Sequence, residues 1–113
     1  MAQKQTFVAW CPDYTDPDAL SRRLAVRTAH LEGIKQTVAD GSLKFGGYTT
    51  APESVGKPPG EHKINGSTMI FEAESVEEVR RRIEEDPYWA GNVWDKEKVD
   101  IRPIFASSAT PLK

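Results

Sequence analysis

Short apolar runs alternate along this chain with longer stretches whose apolar residues recur every three or four positions. Gln5–Trp10 is apolar on both faces of an extended segment, since Phe7 and Ala9 alternate with Val8 and Trp10. Between Asp16 and Asp40 the period becomes helical. At about 100° per residue, Leu20, Leu24, Leu31, Ile34 and Val38 fall on one narrow stripe, which is expected to pack on the rest of the protein. Asp16-Pro17 supplies a helix start, with proline at the first helical position, and Asp40-Gly41 a stop. Arg27 falls inside the apolar stripe and His30 on its margin. A guanidinium cannot shed its proton, so an inward-facing arginine demands an anionic partner from the protein or from a ligand.

Leu43–Thr50 reads as a second strand, where the Gly46-Gly47 pair predicts a bulge or a backbone closely approached by a ligand. Residues 51–66 hold three prolines and three glycines, the mark of a long connection and a candidate lid. Ser67–Ala73 is a third strand. Ser75 and Glu78 form a capping box opening a second helix, with Val76, Val79 and Ile83 as its buried stripe. Asp86-Pro87 starts a further short turn that carries Tyr88 and Trp89. Val99–Phe105 is the last strand, and Pro103 places that end at a sheet edge or bulge. Residues 107–113 read as a flexible tail behind a single domain over 1–106.

Strand, helix, strand, strand, helix, strand is the order of an α+β, ferredoxin-like βαββαβ fold, with two helices on one face of a four-stranded antiparallel sheet. The strands are apolar on both faces, so the uncovered face calls for a partner. The simplest is the same face of a second copy, a homodimer.

At 113 residues, 38% hydrophobic and 28% charged, the chain has enough apolar surface for one real core. A net charge of −2 argues against non-specific nucleic-acid or anionic-membrane binding. Arg80-Arg81-Arg82 is interleaved with glutamates on a short helix and reads as a solvated, ion-paired face. No apolar run approaches the roughly 20 residues of a membrane span. The opening residues lack the apolar stretch of a signal peptide, so a cytoplasmic location is expected. A single cysteine, Cys11, rules out an internal disulfide and a cysteine-based metal cluster; it reads as buried packing. His62, in the long loop, is expected to be solvated.

Arg27-x-x-His30-Leu31, the following Gly41-x-Leu43, and Asp86-Pro87-Tyr88 before Ala90-Gly91 resemble the YCII-related (YciI-like) family. The resemblance runs from the first strand to Ile104. It implies a dimeric α/β barrel of ferredoxin-like subunits, with an active site beside the sheet built from the histidine of the first helix and the aspartate of the Asp-Pro pair. Those residues are His30 and Asp86, and Arg27 matches the arginine that often precedes the histidine. Some members of the family are lyases that eliminate a small acid from hydroxylated aromatic rings. This chain departs from the pattern at Gly46-Gly47-Tyr48-Thr49-Thr50, where the family has a Gly-Pro-Leu-like strand, and in its long proline-rich loop.

A histidine and an aspartate together make an acid/base device in which the carboxylate fixes the imidazole tautomer. The pair contains no nucleophile and no metal-ligand cluster is evident, so the expectation is cofactor-free proton transfer: elimination, dehydration, isomerisation or cyclisation of a small cyclic or aromatic oxygenated metabolite. Arg27 would hold the developing anion. Tyr48, Tyr88 and Trp89 are candidate substrate-binding residues, with core packing as the competing role for Tyr88, Trp89 and Trp94. The alternative is a non-catalytic module of the same fold that binds a small anion.

Overall fold

The computed structural model describes residues 3–107. Its elements are β1 (Gln5–Pro12), α1 (Ala19–Ala39), β2 (Leu43–Thr50), β3 (Ile64–Ala73), α2 (Val76–Glu84), α3 (Pro87–Ala90) and β4 (Asp100–Pro103). The four strands form one sheet in the order β2-β3-β1-β4, antiparallel throughout. This is the ferredoxin-like pattern. Pro103 lies in β4, an edge strand paired only with β1, so its missing N–H breaks no central ladder.

Strand alternation builds the core. Phe7, Ala9 and Cys11 of β1 stand opposite Phe71, Met69 and Ser67 of β3, and all six are buried beneath the helices. Val79 and Ile83 of α2, Tyr88 of α3 and the following Val93 and Trp94 complete it. The capping box forms: Ser75 Oγ accepts the Glu78 N–H at 3.1 Å, while the Glu78 carboxylate accepts the Glu74 N–H at 2.8 Å. β3 begins three residues earlier than the pattern predicts. Gly66 allows this, because a Cβ there would meet the Trp10 ring at 2.6 Å. β2 shifts register twice, between Leu43 and Phe45, just ahead of the glycine pair, and between Thr49 and Thr50.

The first helix differs from expectation in start and in orientation. It begins at Ala19, because the Asp16 carboxylate is taken up by two 2.7 Å bonds from Arg22 and the Asp18 N–H instead of capping a helix at Pro17. Four of the five stripe residues are exposed: Leu20 at 49%, Leu24 at 59%, Leu31 at 40% and Val38 at 57%. The face that meets the core carries Ala19 and Arg23, with Val26 and Ile34 packed beside them. The buried arginine is therefore Arg23, and Arg27 is exposed. Amphipathic periodicity locates a helix without saying whether its apolar stripe meets the core or walls an open cleft.

Residues 51–66 are ordered by two short 3₁₀ turns, and by Ser54, whose buried hydroxyl accepts the Lys63 N–H at 2.8 Å. The tail expected over 107–113 lies outside the described residues beyond Ser107. No described helix is long and apolar enough to cross a membrane.

Candidate functional site

The Asp86-Pro87 pair starts α3 as its composition dictates. Proline occupies the first turn, and an Asp86 oxygen caps it by accepting the Tyr88 N–H at 2.8 Å. That geometry aims the carboxylate at α1, where His30 Nδ1 lies 2.8 and 2.9 Å from its two oxygens. A carboxylate only accepts, so Nδ1 donates and carries the ring proton. Both side chains are nearly buried, at 12% and 11% exposure. His30 Nε2 has no hydrogen-bond partner among the described residues, and it is left with a free lone pair.

His30 stands on the wall of a cleft of ≈ 520 Å³ between α1 and β2, bordered by Pro59 and Gly60 of the long loop. Asp86 is not on that wall; it backs the imidazole from behind. Tyr88 is on the wall, its ring stacked on His30 with centroids 3.8 Å apart and planes within 9°. The Arg23 guanidinium sits 4.6 Å from the centre of the same ring. The stacked imidazole already fills one face of the ring, which leaves the other face to the guanidinium, so Tyr88 lies between them. Burial raises the Tyr88 phenol above its ordinary pKa, against the pull of Arg23 and Arg27.

Arg23 is buried and held from several sides. Its Nη2 donates to Ser67 Oγ at 2.7 Å and to the Gly66 carbonyl at 3.3 Å, and its Nε lies 3.7 Å from Asp13. Burial pushes the Asp13 carboxyl upward, with Arg23 offsetting only part of the effect. Asp13 Oδ1 and Arg23 Nη1 have no hydrogen-bond partner among the described residues. Ser67 Oγ also accepts the Trp94 indole N–H at 3.3 Å. Two donors thus occupy both lone pairs of a hydroxyl on the cleft wall, and its own proton remains available to a guest.

Arg27 lines the cleft, exposed and in no ion pair among the described residues. Tyr48 lines it from β2, with its hydroxyl 2.8 Å from His62 Nδ1. His62 is half-buried instead of merely solvated, since its Nε2 donates to the Lys57 carbonyl at 2.8 Å. Gly46 and Gly47 also border the cleft. Trp89 does not; it packs beside the core under Lys96, whose Nζ is 5.3 Å from the ring. Trp94 is core. Arg80 and Arg81 make no ion pair among the described residues, and Arg82 pairs with Asp40 at 3.3 Å. Cys11 is fully buried, and desolvation pushes its thiol up to about 12. Among the described residues no three His, Cys, Asp or Glu side chains gather to hold a metal ion.

Asp13, Arg23 and Ser67 escape a reading of the sequence. Arg23 sits 60° off the leucine stripe, and the few apolar residues on its side of the helix, Ala19 and Val26, are smaller than the leucines that draw the eye to the other face. Asp13 and Ser67 acquire their roles only through the pairing of β1 with β3. A rule that a buried arginine needs a carboxylate, applied to each arginine of α1 in turn, is the one signal that reaches them.

Residues 7–104 match the model of the YCII-related domain. The chain is 37% identical over 87 residues to protein YciI of Escherichia coli O6:H1, covering 77% of this chain and 85% of that one. It is 35% identical over 89 residues to fusaric acid biosynthesis protein 2 of Gibberella fujikuroi, covering 78% and 83%. Among solved structures it superposes on the 5-chloro-2-hydroxyhydroquinone dehydrochlorinase TftG of Burkholderia phenoliruptrix AC1100, in complex with 2,5-dihydroxybenzoquinone. The TM-score is 0.69 at 26% identity, covering 86% of this chain and 90% of that one. By the extent of these matches, the chain belongs to the YCII-related family.

Proposed function

We propose that the protein is a small acid/base enzyme of the lyase or isomerase type, acting without a cofactor on a cyclic or aromatic oxygenated metabolite. The observation that carries this reading is the imidazole of His30 on a cleft wall, with Nδ1 held by Asp86 and Nε2 free. Nε2 takes a proton from a C–H or O–H of the bound ring, and Asp86 stabilises the imidazolium that forms. The electron pair left on the substrate becomes an enolate or phenolate, or expels a leaving group. Arg27, exposed on the cleft wall, binds the developing negative charge.

Tyr88 supports the guest from the wall, Tyr48 faces it from β2, and the 51–66 loop covers it as a lid. Trp89 lies too far from the cleft to take part. The likeness to a dehydrochlorinase favours elimination, in which a base removes a proton as the leaving group departs. The other face of the sheet, which carries Val8, Ile70 and the partly exposed Trp10, pairs with a second copy to give the homodimer and closes the barrel.

The test is turnover of hydroxylated aromatic rings and quinones by the wild type, His30→Ala and Asp86→Asn. Product formed by the wild type and lost in both variants supports the assignment. Undiminished turnover in both overturns it, and stabilisation by a ligand with no product at all leaves an anion-binding module.

A further inference from the structure

The cleft is divided. Arg23 and Val38 both line it, fifteen helical steps apart, which makes the wall contributed by α1 about 22 Å long. His30 stands near the middle of that wall. Toward the helix start the surface is largely polar and cationic, with Arg23, Arg27, Ser67, Tyr48 and Tyr88, although Leu24 and Ile64 also line it. Toward the helix end it is largely apolar, with Leu31, Ile34, Val38, Leu43 and Met69, although Lys44 also lines it. Strand register agrees with this division. Tyr48 stands opposite Ser67 toward one end of the β2–β3 ladder, and Leu43 opposite Phe71 at the other. Volume agrees, since ≈ 520 Å³ is more than three times the roughly 150 Å³ that suffices for benzene.

We infer that the substrate is an oxygenated ring carrying an apolar substituent several carbons long. The ring oxygens meet Arg27 and the free Ser67 proton with the buried charge of Arg23 behind them, the reacting position lies at His30, and the substituent runs along Leu31, Ile34 and Val38 toward Leu43. The inference rests on the acid/base reading for the placement of the ring. It accounts for two exposed aliphatic side chains on one helix face (Leu31 and Val38), which a bare ring would leave wet. Continuity with the cationic end argues for a small amphipathic anion as the occupant instead of a second copy of the chain, whose apolar contact would bury Arg27 without an anion to meet it.

The experiment is a titration with 2,5-dihydroxybenzoquinone and its 3-methyl, 3-propyl, 3-pentyl and 3-undecyl derivatives, followed by calorimetry and by turnover. Affinity is expected to rise up to about fourfold per methylene and to level off once the substituent passes Val38. Val38→Asp and Leu31→Asp, at exposed positions where folding tolerates a charge, are expected to flatten the series. A flat series in the wild type overturns the inference. So does a steep one that neither variant alters, because the chains then bind elsewhere. Dimerisation lost in Val38→Asp, together with a flat series, assigns the groove to a second copy and overturns it as well. The two readings fail separately: a chain-length series that binds in order but never reacts removes the acid/base role alone, and quinones that react equally at every chain length remove the divided cleft alone.

Discussion

His30 Nδ1 lies 2.8 Å from the nearer oxygen of Asp86, across 56 residues of chain, and that same oxygen caps α3. Capping and histidine support can be separated, because asparagine caps a helix about as well as aspartate whereas alanine costs about 1 kcal/mol. Asp86→Asn is expected to melt close to the wild type and Asp86→Ala below it, with turnover falling by roughly 10²–10⁴-fold in both. Melting curves read beside turnover decide the matter. Full turnover in a stable Asp86→Asn protein would mean the carboxylate serves only the helix.

Arg23 and Asp13 form a buried pair, and removing one partner strands the other. Arg23→Ala is expected to cost about 3–5 kcal/mol in urea unfolding, with Asp13→Asn in the same chain recovering part of the loss. Asp13 also links stability to pH. Its folded-state pKa is raised, so its stabilising contribution is complete below the ordinary aspartate value and is lost as pH rises through the folded value. Unfolding free energies between pH 3 and 7 should therefore show a descending component that Asp13→Asn abolishes and Arg23→Ala, lacking the offsetting cation, deepens. An unchanged profile in both variants would place Asp13 in contact with water.

Much of the fold is written plainly in the sequence. Ser75 with Glu78, Asp86 with Pro87, and the alternation of Phe7 and Ala9 with Val8 and Trp10 each act over a few residues, and each appears where the pattern puts it, although β1 runs on through Cys11 to Pro12. The pairing of His30 with Asp86 follows from resemblance and not from spacing, since nothing local joins two positions 56 residues apart. The rotation of α1 was not legible. A leucine stripe that walls a cleft has the same period as one that meets a core, and only the depth of Arg23 under the Ser67 and Asp13 contacts tells them apart.

Cys11 provides a further check. With its thiol pushed up to about 12 by burial, it should resist an aromatic disulfide reagent in the folded protein at pH 8. Labelling should become complete only in denaturant. Rapid labelling of the native state, accelerating between pH 7 and 9, would show an open path to the thiol.

The long loop is pinned to β2 by the Tyr48–His62 contact and to itself by His62 and the Lys57 carbonyl. His62→Ala and Tyr48→Phe are expected to speed trypsin cleavage at Lys57 and Lys63 several-fold, with little change in global stability, since each removes about 1 kcal/mol of hydrogen bonding or less. Equal cleavage rates in all three proteins would mean the loop is held by its prolines alone.

The Tyr88 ring, clasped between Arg23 and His30, works as a calliper. Both jaws spring from one helix and the ring is the gauge block between them, so its thickness sets the least gap from guanidinium to imidazole. A molecule entering this groove is measured against a distance set by the thickness of a single aromatic side chain, and replacing that side chain resets the instrument.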